Sequence, residues 1–267
     1  MAPTSPRPRA SAEKTRPSVF WPLAAVIAPL IALLFKLEIE GAENLPREGA
    51  YVLAPNHYSE VDPLVVALAV WKAGRAPRFM AKESLFRVPV LGWILRITGM
   101  VPVARSSSAA SARQTLETSE TLVKLGRGVI VYPEGTLTRD PALWPMTGKT
   151  GAARIALETG CPVIPIGHWG VQKILPPYSS KPRLVPPQHV TMKAGDPVDL
   201  GDLVGRTRST EAINEATARI MAALTAIVEE LRGETAPTER FDPRRMGVKQ
   251  IGNPNKRRTR KKKDGRG

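Results

Sequence analysis

His57 and Asp62 are the residues of this chain whose types and spacing could carry acid–base chemistry, in the run Asn56-His57-Tyr58-Ser59-Glu60-Val61-Asp62-Pro63. A neutral imidazole held at one nitrogen by a carboxylate keeps its other nitrogen free to take a proton from a hydroxyl. The pair therefore reads as a general base for an alcohol. Residues five apart on a helix point about 140° away from each other, so sharing a proton requires a folded loop. Pro63 supports that loop: it disfavours helical angles at Asp62 and suits a first helical position, so a helix is expected to start there with Asp62 as its cap. The plainer reading is helix capping by Asp62, or a capping box with Ser59, beside an ordinary loop histidine.

Two further loops carry suitable groups. A short apolar strand in Gly99 to Arg105 delivers Arg105 to its end, where the planar guanidinium fork suits a phosphate. In Gly128 to Arg139 a buried strand stops at Pro133. Glu134 follows at its mouth, Gly135 permits a turn closed to other residues, and Thr136, Thr138 and Arg139 supply donors. In open α/β sheets ligands bind beyond the carboxyl ends of the strands, where all three loops would converge. Met146 to Thr150 resembles the end of a phosphate-binding P-loop, but Leu143 stands where that motif needs glycine. There is no G-x-S-x-G elbow. Three histidines and one cysteine form no cluster at metal-ligand spacing, so no metal is expected, and His168 and His189 read as structural.

The elements that must position these loops alternate. Strands are predicted at Leu37–Ile39, Tyr51–Ala54, Arg78–Ala81, Met100–Val103, Val129–Tyr132, Val163–Ile166 and Val190–Lys193. Helices are predicted at Pro63–Ala73, Pro89–Thr98, Ala109–Leu125, Lys149–Glu158 and Thr210–Leu231. This pattern predicts an α/β fold, a largely parallel or mixed sheet flanked by helices.

At 267 residues the chain suits one such domain with tails. The expected division is a disordered basic leader at 1–18, a membrane-associating segment at 19–36, the domain at 37–232 and a disordered basic tail at 233–267. Val19 to Phe35 has no charged residue but contains Pro22 and Pro29. At about 1.5 Å per residue it falls short of a ~30 Å hydrocarbon layer, which favours a broken helix or hairpin dipping into the cytoplasmic leaflet over a full span or a buried core helix. No small-residue cleavage site follows, against a signal peptide. The net charge of +15, with Lys256 to Lys263 almost wholly basic, points to a polyanion. An anionic membrane surface is the expected one; nucleic acid is the remote alternative, because only 5% of residues are aromatic. The lone cysteine excludes an intramolecular disulfide.

In this order, the loops resemble the glycerolipid acyltransferase family typified by 1-acylglycerol-3-phosphate acyltransferases. Asn56, His57 and Asp62 match its N-H-x-x-x-x-D motif, and Gly99 to Arg105 its glycine, strand and arginine. Tyr132 to Thr138 is similar to F-P-E-G-T-R-S and Val163 to Ile166 to its V-x-P-[VI] strand; Lys82 and Lys149 to Ala152 also fit. Leu137 stands where the family carries arginine, and Arg139 is a candidate substitute. The resemblance implies that His57, oriented by Asp62, deprotonates a lysophospholipid hydroxyl that attacks the thioester of acyl-CoA or acyl-carrier protein, with no cofactor. It implies substrate contacts at Asn56, Lys82, Arg105, Glu134, Gly135, Thr136 and Arg139. Another lysophospholipid or a glycolipid is the alternative acceptor. The expected location is the cytoplasmic face of the membrane, peripheral or monotopic.

Overall fold

A computed structural model describes residues 18–103, 117, 119–248 and 253–254. Among these, seven strands form: β1 (Phe35–Glu40), β2 (Tyr51–Pro55), β3 (Met80–Lys82), β4 (Val101–Val103), β5 (Gly128–Ile130), β6 (Val163–Trp169) and β7 (Gln188–Ala194). Between them lie helices α1 (Phe20–Leu34), α2 (Asp62–Lys72), α3 (Leu91–Ile97), α4 (Gly151–Thr159), the single turn α5 (Val171–Ile174) and α6 (Thr210–Arg232). Each expected strand has its counterpart.

The main sheet runs β1-β7-β6-β2-β5, and a bridge between Phe79 and Ile130 joins it to the β3-β4 pair. All pairings are parallel except β6 with β7. The sheet is therefore mixed, and the exception has a local cause. A parallel return needs a crossover helix. Only one helical turn, α5, separates β6 from β7, so the chain comes back antiparallel beside β6. β1 pairs parallel with β7, so it begins at the end of the sheet where β6 finishes.

Strand periodicity divides the core between the two faces. Tyr51 and Leu53 of β2 pack with Val65, Val66, Ala69 and Val70 of α2, while Val52 and Ala54 pack with α4 and α6. α6 has Ser209 as N-cap, its hydroxyl accepting from the Ala212 N–H at 3.1 Å, and stops at Gly233 with φ 65°.

Among the described residues, the segments flanking the expected domain depart from expectation. α1 is one continuous helix through Pro29, neither broken nor a hairpin, because the apolar face holding Ile27, Ala28 and Ile31 packs on the core and over-determines the path. None of the described helices is long and apolar enough to cross a membrane. Residues 233–248 do not leave the domain as a tail: the Ala236 N–H donates to Glu229 Oε1 at 2.7 Å and the Thr147 N–H to the Phe241 carbonyl at 3.0 Å. The leader at 1–17 and the basic run at 256–263 lie outside the described residues.

Candidate active site

β2 is buried throughout and delivers a polar loop at its carboxyl end. There His57 Nδ1 lies 3.0 Å from Asp62 Oδ2. The same oxygen accepts the backbone N–H groups of Tyr58 at 2.6 Å and Ser59 at 2.8 Å. The carboxylate thus folds the loop around itself and brings together residues that an ideal helix would separate. Asp62 is the first residue of α2, with Val61 in the cap position, and its side chain turns back into the loop instead of capping. The expected N-cap role is corrected: three donors in the loop claim the oxygen that a cap would use. Of the capping box only one arm forms: Asp62 Oδ2 accepts the Ser59 N–H at 2.8 Å, while Ser59 Oγ accepts from the Val61 N–H at 3.3 Å in place of the Asp62 N–H.

Asp62 is fully buried and the His57 side chain is 17% exposed. With Nδ1 turned to the carboxylate, Nε2 is the ring nitrogen left without that partner. The His57 ring stacks on Tyr132, centroids 4.1 Å apart at 24°.

The β5 loop supports the histidine from below. Glu134 Oε1 accepts the His57 N–H at 3.3 Å and Oε2 the Met146 N–H at 3.1 Å. Burial pushes this carboxyl up to about 8, against the pull of those two N–H groups; Asp62 and Asp140 push it further the same way. Glu134, expected at the substrate, is buried, and both its oxygens accept backbone N–H groups. Gly135 has φ +68°, and a Cβ there would sit 2.8 Å from Lys149 Cδ, so the lysine lies across the glycine. Thr138 donates its N–H to the His57 carbonyl at 2.8 Å and its hydroxyl to the Trp144 carbonyl at 2.9 Å. Thr136 is half-buried. Arg139 is buried with its guanidinium 4.7 Å over the Tyr178 ring, and Tyr178 donates its hydroxyl to the Leu137 carbonyl at 2.7 Å.

Asn56 was likewise expected at the substrate. It is fully buried, donating to the His168 carbonyl at 3.0 Å and accepting the His168 N–H at 2.8 Å. Its amide ties the β2 loop to β6. His168, read from the sequence as structural, is drawn into the site: its Nε2 lies 3.0 Å from the Asn56 carbonyl and 3.6 Å from Asp62 Oδ2. Burial lowers its pKa, with Asp62 pulling the other way. Its place in an apolar strand gave no polar signal, and nothing local marks Tyr178. Lys82 is exposed at the carboxyl end of β3, on the same side of the sheet as His57. Arg105 lies outside the described residues.

This loop geometry coincides with a match to a known family. The Acyltransferase family model matches residues 36–169, half of the chain. The chain belongs to that acyltransferase family. Among its relatives, a chloroplastic 1-acyl-sn-glycerol-3-phosphate acyltransferase of Brassica napus is 36% identical over 143 residues, 53% of this chain and 40% of that protein. The enzyme of the same name from Borreliella burgdorferi is 28% identical over 133 residues, 49% of this chain and 50% of that protein. The chain thus spans half or less of the length of these relatives. The crystal structure of the 1-acyl-sn-glycerophosphate (LPA) acyltransferase PlsC of Thermotoga maritima shares the fold of this acyltransferase-family chain, with a TM-score of 0.61, 24% identity and 82% of each chain covered.

Proposed function

We propose that this protein transfers a fatty acyl group from a thioester, acyl-CoA or acyl-carrier protein, to the free hydroxyl of 1-acylglycerol-3-phosphate, giving phosphatidic acid. The observation that carries the reading is the 3.0 Å contact of His57 Nδ1 with the buried Asp62 carboxylate. The names of the Brassica and Borreliella relatives support the choice of acceptor.

In the proposed reaction His57 Nε2 takes the hydroxyl proton as the lipid oxygen attacks the thioester carbonyl. The carbon–sulfur bond then breaks, and the imidazolium returns its proton to the thiolate. No covalent acyl-enzyme is needed, and the protein's own residues suffice without a cofactor. Asp62 stabilises the transient positive charge on the ring, while Glu134, Asn56 and Thr138 hold the loop backbone. Arg105, Lys82 and Arg139 are the proposed contacts for the acceptor's phosphate, with Gly135 and Thr136 shaping the turn beside it. Holding two substrates in line contributes several kcal/mol of rate enhancement, on the order of what oriented intramolecular reactions show. The proposed setting is the cytoplasmic face of a membrane, with the protein peripheral or monotopic and α1 at the lipid surface.

The test is a purified-protein assay with labelled acyl-CoA or acyl-carrier protein against 1-acylglycerol-3-phosphate and a panel of other lysolipids. Preference for 1-acylglycerol-3-phosphate, lost in His57→Ala, is expected. Turnover retained by that variant would sink the base assignment, and preference for another lysolipid would sink the acceptor.

A further inference from the structure

We propose that an arginine-lined cavity at the amino ends of the parallel strands binds the phosphate headgroup of an anionic membrane phospholipid, at a site separate from the His57 loop. The cavity has a volume of about 800 Å³, and its walls include Arg47, Arg75, Arg78, Arg96 and Arg127 against a single carboxylate, Glu48. Guanidinium forks match phosphate oxygens two by two, and a concave wall of one sign concentrates its field. Arg75 braces the wall and leaves the phosphate to the others: it is 1% exposed and donates to the carbonyls of Pro46 at 2.6 Å, Gly49 at 2.8 Å and Gly126 at 3.2 Å, while Arg96 donates to that of Phe86 at 2.7 Å.

The position is unusual for an α/β sheet, whose ligands sit at the carboxyl ends of the strands. Gly49 precedes β2, Arg78 precedes β3, Gly99 precedes β4 and Arg127 precedes β5, and all four line this cavity. His57 follows the other end of β2, so the strand itself, roughly 16 Å long at 3.3 Å per residue, separates the two sites.

The rim decides for a lipid over a free anion. Phe20 of α1 and Ile97 of α3 line the same cavity. From there α1 exposes Val26, Leu30 and Leu33, and the α3 region exposes Val88, Val90 and Trp93. A phosphate in the cavity would therefore leave its acyl chains beside apolar helix faces, the arrangement of an interfacial site. α1 then runs from the cavity at Phe20 to the start of β1 at Phe35, which lies at the catalytic end of the sheet. A bilayer lying along α1 would meet the headgroup cavity at one end and the His57 loop at the other. The inference stands apart from the acyl-transfer reading, because it needs binding and no turnover.

The experiment titrates the full chain with dihexanoyl phosphatidylglycerol below its micelle-forming concentration, beside dihexanoyl phosphatidylcholine and inorganic phosphate. Wild type and His57→Ala are expected to bind phosphatidylglycerol equally. The double variant Arg96→Glu/Arg127→Glu is expected to lose at least about tenfold in affinity with an unchanged circular dichroism spectrum. Arg47→Glu, at an exposed position, is expected to lose severalfold and provides the reading if the double variant does not fold. Equal binding of phosphatidylcholine, displacement by phosphate at matched concentration, loss of binding in His57→Ala, or full affinity in folded charge-reversed variants would each overturn the proposal.

Discussion

The buried Glu134 carboxyl receives the backbone N–H of His57 at 3.3 Å, while its second oxygen receives that of Met146 at 3.1 Å. One side chain from the β5 loop thus sets the backbone of the candidate base on the β2 loop. Both contacts need an acceptor. Glutamine offers one acceptor and one donor, so Glu134→Gln must lose one of them. Its turnover is expected to fall with little change in KM, read in steady-state kinetics.

The same carboxyl makes stability depend on pH. Burial raises its folded value to about 8 from 4.5. Between those values the folded protein keeps a proton that the unfolded chain releases, so this contribution is full below pH 4.5 and is lost as pH rises through 8. The loss is at most on the order of a few kcal/mol. Denaturant midpoints of wild type should fall across this window relative to Glu134→Gln. Parallel curves would show that Glu134 titrates normally.

Asp62→Asn tests the loop from the other side. The Asp62 oxygen that meets His57 Nδ1 also accepts two backbone N–H groups. Asparagine can satisfy the N–H groups with its oxygen but no longer balances an imidazolium. We expect turnover to fall by about 10³- to 10⁴-fold with a near-normal KM, as for other His-orienting carboxylates. A variant with more than a tenth of wild-type turnover would show that Asp62 only folds the loop.

Asn56→Ala removes the tie between the β2 loop and β6, leaving the buried N–H and carbonyl of His168 without their amide partner. Each such loss costs about 1–3 kcal/mol. The expected result is a lower melting temperature together with reduced turnover and a nearly unchanged KM. A large rise in KM at unchanged stability would restore Asn56 as a substrate contact.

These residues also show what the sequence discloses. The seven strands were legible because their apolar runs end at Pro, Gly or polar loops, and the β2 and β5 loops stood out by chemical type. The antiparallel β7 was concealed, since only the absence of a crossover-length helical pattern between Ile166 and Val190 hinted at it. His168 and Tyr178 reach the site through strand pairing and a long loop, neither of which leaves a local pattern. The pairing of Asp62 with His57 was legible, and only its expected cap role was not met: the spacing to Pro63 suits a cap, and the competing donors at Tyr58 and Ser59 are backbone groups that every residue carries.

Leu137 stands where the family carries arginine, and its side chain is buried. It is 6% exposed, its carbonyl accepts the Tyr178 hydroxyl at 2.7 Å, and the neighbouring Arg139 guanidinium already lies 4.7 Å over that ring. Leu137→Arg would put a guanidinium at a buried position and so face a desolvation cost. We expect a stability loss of about 2–4 kcal/mol in chemical denaturation and no improvement in acceptor KM. Arg139→Gln is expected to raise that KM, because the positive charge available on this turn belongs to residue 139. If Leu137→Arg instead lowered KM without loss of stability, the side chain at 137 would face the acceptor, and Arg139 would lose its proposed role at the phosphate.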